Sequence, residues 1–298
     1  MENVWNQARA GCDIGRISID RVVDIERLSY PHKTLIPGSN RELLCELSKE
    51  MGPRLIEPVT LDLSLSFHSF LIRTEKNNIL IDACCGNGKQ RLNRLDWHER
   101  DGPFLNNLRV LGVKPEDIDY VMCTHLHADH VGWNTIMENG DWVPTFPNAE
   151  YLFAETEYNF WLDQQSEDED PILHGSHADS VLPVIKSGQA TLVKADHQIE
   201  AGLNFEPAPG HTPGAVILNA ESEGAAAVFC GDVVHHPVQV RRPDWSSAFC
   251  EDPENSARTR AKLLERISGT GTLLLPAHFL SPYFGPLEKC GLGYKTVI

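Results

Sequence analysis

Thr124-His125-Leu126-His127-Ala128-Asp129-His130 places four good metal-binding side chains, three of them imidazoles, within six consecutive residues. In an extended stretch, side chains two apart point the same way, so His125 and His127 can serve one ion. Asp129 and His130 follow as the chain turns and can face a second ion. The cluster begins where the apolar run Asp119–Cys123 should stop, which puts it on a loop at a strand end.

Zinc-type sites need more ligands than one loop supplies, so partners are expected at other element ends. His211 lies in PGHTPGA, Asp232 in CGDVVHH at the end of an expected strand Ala226–Cys230, and His278 in PAHF just after an expected strand Thr272–Leu275. A carboxylate such as Asp232 suits a bridge between two cations, because each of its oxygens can face one.

Working outward, the pattern reads as strands feeding polar loops with helices between. LDLSLSFHSFLI from Leu61 alternates in polarity, and Ile79–Ala83 reads as a buried strand. Further strands are expected at Tyr151–Phe153, Thr191–Val193, Leu203–Glu206 and Val216–Leu218, with helices at Phe104–Leu111, Glu155–Asp163 and Asn255–Ser268. This indicates an α/β or α+β layered fold whose site forms at one edge of the sheets. Residues 1–57 read as an N-terminal extension packed on the domain, with a short strand near Arg21–Ile25 and a helix Arg41–Met51 closed by Gly52-Pro53. The domain proper is expected over 58–298. The polar, turn-rich stretch SEDEDPILHGSHADS is expected to form a mobile cap, with Glu167–Asp170 as a solvated loop.

HxHxDH, a distant His in GHTPG, Asp in GD and a late His form a pattern that resembles the metallo-β-lactamase superfamily. The resemblance runs from about Leu61 to the C-terminus and includes IDACCG, with Asp82 at the family's strand-turn. It implies a four-layer αββα sandwich of two similar halves. It also implies one ion on His125, His127 and His211, another on Asp129, His130 and His278, and Asp232 shared. The family's lactamases proper commonly put Cys where this chain has Asp232, and its flavin-linked oxygen reductases usually carry Glu where this chain keeps His127. The complete hydrolytic set favours a hydrolase, and GDVVHHPVQV with the tail AHF…FGPLEKCGLGYKTV is most similar to the branch of methyl parathion hydrolase and quorum-quenching lactonases. Acyl-homoserine lactonases commonly carry Tyr three residues after the shared Asp. This chain has His235 there, the candidate for polarising substrate or donating a proton.

The chemistry so implied is hydrolysis by hydroxide generated on two divalent ions, which lower the pKa of bound water toward about 7 and polarise the scissile carbonyl or phosphoryl oxygen. A lactone or carboxylic ester is the leading substrate, a phosphotriester the alternative and a β-lactam the third. Proton delivery falls to Asp129 or His235. Oxygen and nitrogen ligands suit Zn2+ first, and admit Mn2+, Co2+ or Fe2+.

Composition narrows the partners. Asp+Glu 42 against Lys+Arg 26 leaves a formal charge of −16, which opposes nucleic-acid binding and leaves a small-molecule substrate. The first thirty residues lack a secretory apolar run and no window approaches a membrane span, so a cytoplasmic protein without membrane contact is expected. Resemblance to dimeric relatives leaves a homodimer open. The eight cysteines are scattered and read as reduced thiols. Cys123 and Cys230, each two residues before an expected ligand, read as core residues inside strands. Asp82 is balanced between holding a turn and orienting a ligand histidine, and His236 reads as an outer support or a solvent-facing residue. Trp133 and Phe279 neighbour ligands and are expected to wall the site, whereas His68, His174 and His177 carry no assigned role.

Overall fold

In the polar-alternating strand from Leu63, the serines are as buried as the leucines. Ser66 Oγ donates to Ile25 O at 3.2 Å, Arg27 Nε donates to Ser64 Oγ at 2.9 Å, and Ser69 Oγ lies 3.3 Å from Cys84 Sγ. Alternation here marks a strand covered on both faces, whose polar face is made of small hydroxyls that find partners. The computed structural model describes residues 11–164, 172–281 and 284–297. They divide into two compact units, one of residues up to Asp24 with Phe67–Ala195, the other of Ile25–Ser66 with the chain from Asp196 onward.

The strands of the first half of the chain are β1 (Gly11–Ile14), β2 (Ile17–Tyr30), β3 (Leu63–Arg73), β4 (Asn78–Ile81), β5 (Tyr120–Met122), β6 (Thr135–Glu138), β7 (Asp141–Pro144), β8 (Glu150–Ala154) and β9 (Ala190–Val193). Seven of them form a mixed sheet in the order β1-β2-β3-β4-β5-β8-β9, and β6 and β7 form a separate hairpin. The pairs β4/β5, β5/β8 and β8/β9 are parallel, with Ile81 opposite Met122 and Met122 opposite Leu152. Parallel strands present their C-terminal ends at one edge, where open α/β sheets carry their ligands. Asp82 and the 124–130 segment leave from that edge. The core of this unit gathers Leu71, Leu80, Val121, Phe104, Phe146, Tyr151 and Phe153.

The second unit carries β10 (Gln198–Glu200), β11 (Leu203–Pro207), β12 (Val216–Ser222), β13 (Ala225–Gly231) and β14 (Leu273–Pro276) as a five-stranded sheet in sequence order, followed by a hairpin of β15 (Leu287–Cys290) and β16 (Gly293–Thr296). Here β13 and β14 are the parallel pair, with Phe229 opposite Leu275. Helix Pro253–Ile267 is capped by Asp252, which accepts Asn255 N at 2.9 Å, and it buries Ser256, Arg260, Leu263, Leu264 and Ile267, the spacing of one helical face.

Several expectations need correction. The strand expected near Arg21–Ile25 runs from Ile17 to Tyr30. Its acidic residues are buried and paired: Asp20 with Arg73, and Asp24 with the Cys85 N–H at 3.1 Å. β1 and the N-terminal part of β2 belong to the large sheet. Of the segment expected as a cap, residues 172–180 form a short 3-10 turn and most of the π-helical turn His177–Val181, which leads into helix Leu182–Ser187. Arg91 holds this stretch by a double contact to Asp179, at 2.6 and 2.8 Å. The acidic run Glu167–Asp170 lies outside the described residues. Helices Arg41–Met51 and Glu155–Asp163 have the expected bounds. Among the described residues no helix is long and apolar enough to cross a membrane.

Candidate metal centre

In the first unit the candidate ligands gather at the β4 and β5 ends. The parallel β4/β5 register sets the two strand ends side by side, and Asp82 N donates to Met122 O at 2.8 Å. Asp82 sits at φ 59°, a left-handed conformation that aspartate tolerates better than most residues. Its Oδ1 accepts Thr124 N at 2.7 Å, and its Oδ2 lies 2.9 Å from His130 Nδ1. One side chain thus both holds the turn and lies against the His130 ring. His125 and His127 present donor atoms within 4.8 Å of each other, with rings 4.6 Å apart. Asp129 and His130 lie on the short helix Ala128–Val131, with Asp129 Oδ2 3.9 Å from His130 Nε2.

Main-chain bonds zip this helix to the turn after Asp82: Ala83 N to His130 O at 2.7 Å, Gly132 N to Cys84 O at 2.7 Å, and Trp133 N to Ala83 O at 2.6 Å. Contact is so close that a Cβ on Gly132 would stand 2.0 Å from the Cys85 carbonyl. Only glycine fits there.

The second unit centres on Asp232, 6 % exposed, just past β13. His278 Nε2 faces Oδ1 at 3.0 Å, while His211 Nε2 and His235 Nε2 face Oδ2 at 3.2 and 3.1 Å. The parallel β13/β14 register sets Asp232 and His278 at neighbouring strand ends, and His211 comes from the connection between β11 and β12. Arg260, wholly buried, steadies the loop after Asp232 by donating to Val233 O at 3.0 Å and Pro243 O at 2.9 Å.

Four imidazoles have Nδ1 against an outer partner: His125 on Thr124 Oγ1 at 3.1 Å, His130 on Asp82 at 2.9 Å, His211 on Cys250 Sγ at 3.5 Å and His278 on the Ser66 carbonyl at 2.9 Å. Such contacts fix the tautomer that turns Nε2 toward a metal. With carboxylates beside them and no thiolate required, this donor set fits divalent cations. Burial works against charge on His211, but the Asp232 carboxylate outweighs it and lifts the pKa to about 10. A cation taking that nitrogen would displace the proton. Burial pulls His235 down to about 4 despite Asp232.

Cys123 and Cys230 are buried, and burial raises both thiols, as core cysteines should behave. Cys230 lies within β13, whereas Cys123 stands one residue beyond β5. Trp133 is a correction: it is 3 % exposed and stacked on Phe104 at 5.3 Å inside the core of its unit. His236 is also not solvent-facing. It is fully buried, with Nδ1 accepting Val238 N at 3.2 Å to cap helix Pro237–Arg241 and Nε2 3.1 Å from Leu55 O. Phe279 is buried at 2 %. Sequence reading passed over Glu157, 1 % exposed, whose Oε1 accepts Leu126 N at 3.0 Å. It also passed over Cys250 and Arg260.

The family model of the metallo-beta-lactamase superfamily matches residues 68–278. The chain belongs to that superfamily and has its fold, each unit contributing a mixed sheet with helices. Among characterised relatives, an N-acyl homoserine lactonase of Bacillus thuringiensis is 24 % identical over 180 residues, 56 % of this chain and 63 % of that protein. Metallo-beta-lactamase domain-containing protein 1 of Xenopus laevis is 27 % identical over 178 residues, 59 % of this chain and 60 % of that one. The chain thus spans less than two thirds of the length of these relatives. Two solved structures each align over 96 % of both chains. One is AidC, a dizinc quorum-quenching lactonase in complex with a product, at TM-score 0.77 and 20 % identity. The other is AbOPH, a hydrolase of the beta lactamase superfamily, at 0.80 and 24 %. At these identities they show the fold alone.

Proposed function

We propose that the chain is a hydrolase of lactones or related carboxylic esters that works with two divalent ions, zinc first. One ion would be held by His125, His127 and His211 and the other by Asp129, His130 and His278, with Asp232 placed to serve both. The observation that carries this reading is the pair of Asp232 oxygens, one facing His278 at 3.0 Å and the other His211 at 3.2 Å. A carboxylate so divided is arranged to face two cations. When bound, such a pair supplies a water-derived nucleophile at neutral pH and polarises the scissile carbonyl. The lactonase activity named for the Bacillus relatives and for AidC supports a cyclic ester as substrate.

In the overall step, a water oxygen bonds to the carbonyl carbon and the ring C–O bond breaks. The leaving alkoxide takes a proton, giving a hydroxy acid. Asp129 and His235 are the candidates for holding that proton. The Asp129 side chain is 13 % exposed, whereas His235 is 2 % exposed and sits against Asp232. That difference supports Asp129 as donor, with His235 holding Asp232. On this reading His235→Ala loses metal along with activity. Retained metal with about a hundredfold fall in kcat/KM would make His235 the donor.

The test is a panel of N-acyl homoserine lactones, simple lactones, aryl esters and phosphotriesters assayed with the metal-loaded chain. Ring opening of lactones, abolished by chelation and restored by Zn2+, is expected. Turnover confined to phosphotriesters would refute the substrate class.

A further inference from the structure

Leu126 separates His125 from His127, and its backbone N–H is satisfied by Glu157 Oε1 at 3.0 Å. The same oxygen accepts Trp161 Nε1 at 2.7 Å. Glu157 lies in the first turn of helix Glu155–Asp163, where the helix dipole favours a carboxylate. It is 1 % exposed, and the two N–H donors help to offset the cost of burying its carboxylate. One turn on, the Trp161 ring stands 5.5 Å from the ring of His127. A single oxygen atom therefore holds the peptide between two histidines and also the indole packed beside the second. The plane of the Leu126 peptide sets the directions in which the His125 and His127 side chains leave the chain, and metal ligands tolerate little error in direction.

We propose that Glu157 is a positioning residue for the ion held by His125 and His127, acting through the Leu126 amide and not through its charge. This rests on the two-ion reading above. It predicts that reach matters and charge does not. Glu157→Asp keeps the charge but withdraws the carboxylate by one methylene, about 1.5 Å, too far to hold the Leu126 N–H. Glu157→Gln loses the charge and keeps an acceptor oxygen at full reach.

The experiment is cobalt loading of the full chain, followed by competition with a chelator and by the visible spectrum of the bound Co2+. Thermal unfolding of the metal-free proteins is the control. In Glu157→Asp, one of the two ions should be released about ten- to a hundredfold more readily, with an altered visible band. In Glu157→Gln, both ions should keep wild-type affinity within about threefold, with the wild-type spectrum. Wild-type affinity and spectrum in the aspartate variant would overturn the inference, as would a glutamine variant weakened as much as the aspartate one. A wild-type chain that binds two cobalt ions while the variants depart from this pattern sinks the role of Glu157 alone. Failure of the wild type to take up cobalt sinks the two-ion reading and this inference together.

Discussion

Replacing Asp82 by asparagine separates the two services this side chain performs. The carboxylate accepts Thr124 N at 2.7 Å on one oxygen and faces His130 Nδ1 at 2.9 Å with the other. Thr124 Oγ1 adds contacts at 3.1 and 3.0 Å. An amide has only one acceptor oxygen. If that oxygen stays on Thr124, the amide NH2 meets His130 Nδ1 and forces its proton onto Nε2, the nitrogen meant for metal. If it turns to His130, a donor meets the Thr124 N–H in a site 3 % exposed. The second arrangement costs about 1–3 kcal/mol for an unsatisfied buried donor. The first lowers metal affinity about ten- to a hundredfold, the usual effect of losing an outer partner of a ligand histidine. Asparagine accepts the φ of 59°, so backbone strain does not confound the result. Chelator competition and thermal unfolding of metal-free protein measure both effects. Wild-type values in both assays would refute the reasoning.

Asp232→Ala should abolish activity and metal binding, whereas Cys230→Ala should cost about 1 kcal/mol of stability and leave turnover close to normal. Equal losses in two folded variants would show that the facing side chain is misassigned. Gly132→Ala, whose new methyl would stand 2.0 Å from the Cys85 carbonyl, should cost at least about 3 kcal/mol, read by denaturant unfolding. A loss below about 1 kcal/mol would contradict the close approach. Burial lowers the His236 pKa to about 4 in the folded chain, against about 6.5 when unfolded. The folded state then binds fewer protons between these values, so stability present above pH 6.5 drains away as pH falls toward 4. Protonated Nδ1 would oppose the Val238 N–H it now accepts. In metal-free protein His236→Asn, which keeps a cap, should flatten that dependence, and an unchanged acid-unfolding profile would count against it.

Ligand types and spacings were readable because metal chemistry restricts them to a few residues, and because strand ends could be placed by apolar runs such as Asp119–Cys123 and Ala226–Cys230. The outer supports were not. Glu157 reads as a solvated helix residue, since only the folded chain brings it under Leu126. The full length of β2 was not legible either, since Asp20 and Asp24 meet Arg73 and the Cys85 N–H only in the folded chain. The β6–β7 hairpin did carry a local signal, Asn139-Gly140, both at positive φ, the dipeptide that favours the tight turn joining two strands. Trp133 was misplaced for a different reason: adjacency to a ligand in sequence says nothing of which face of the chain a side chain takes.

The most direct test of the account is the metal content of gently purified protein, by elemental analysis, for wild type and His278→Ala. Close to two divalent ions per chain are expected in the wild type, with loss of one ion and of activity in the variant. A stable, active wild type holding one ion per chain, with His278→Ala unaffected, would contradict the dinuclear centre.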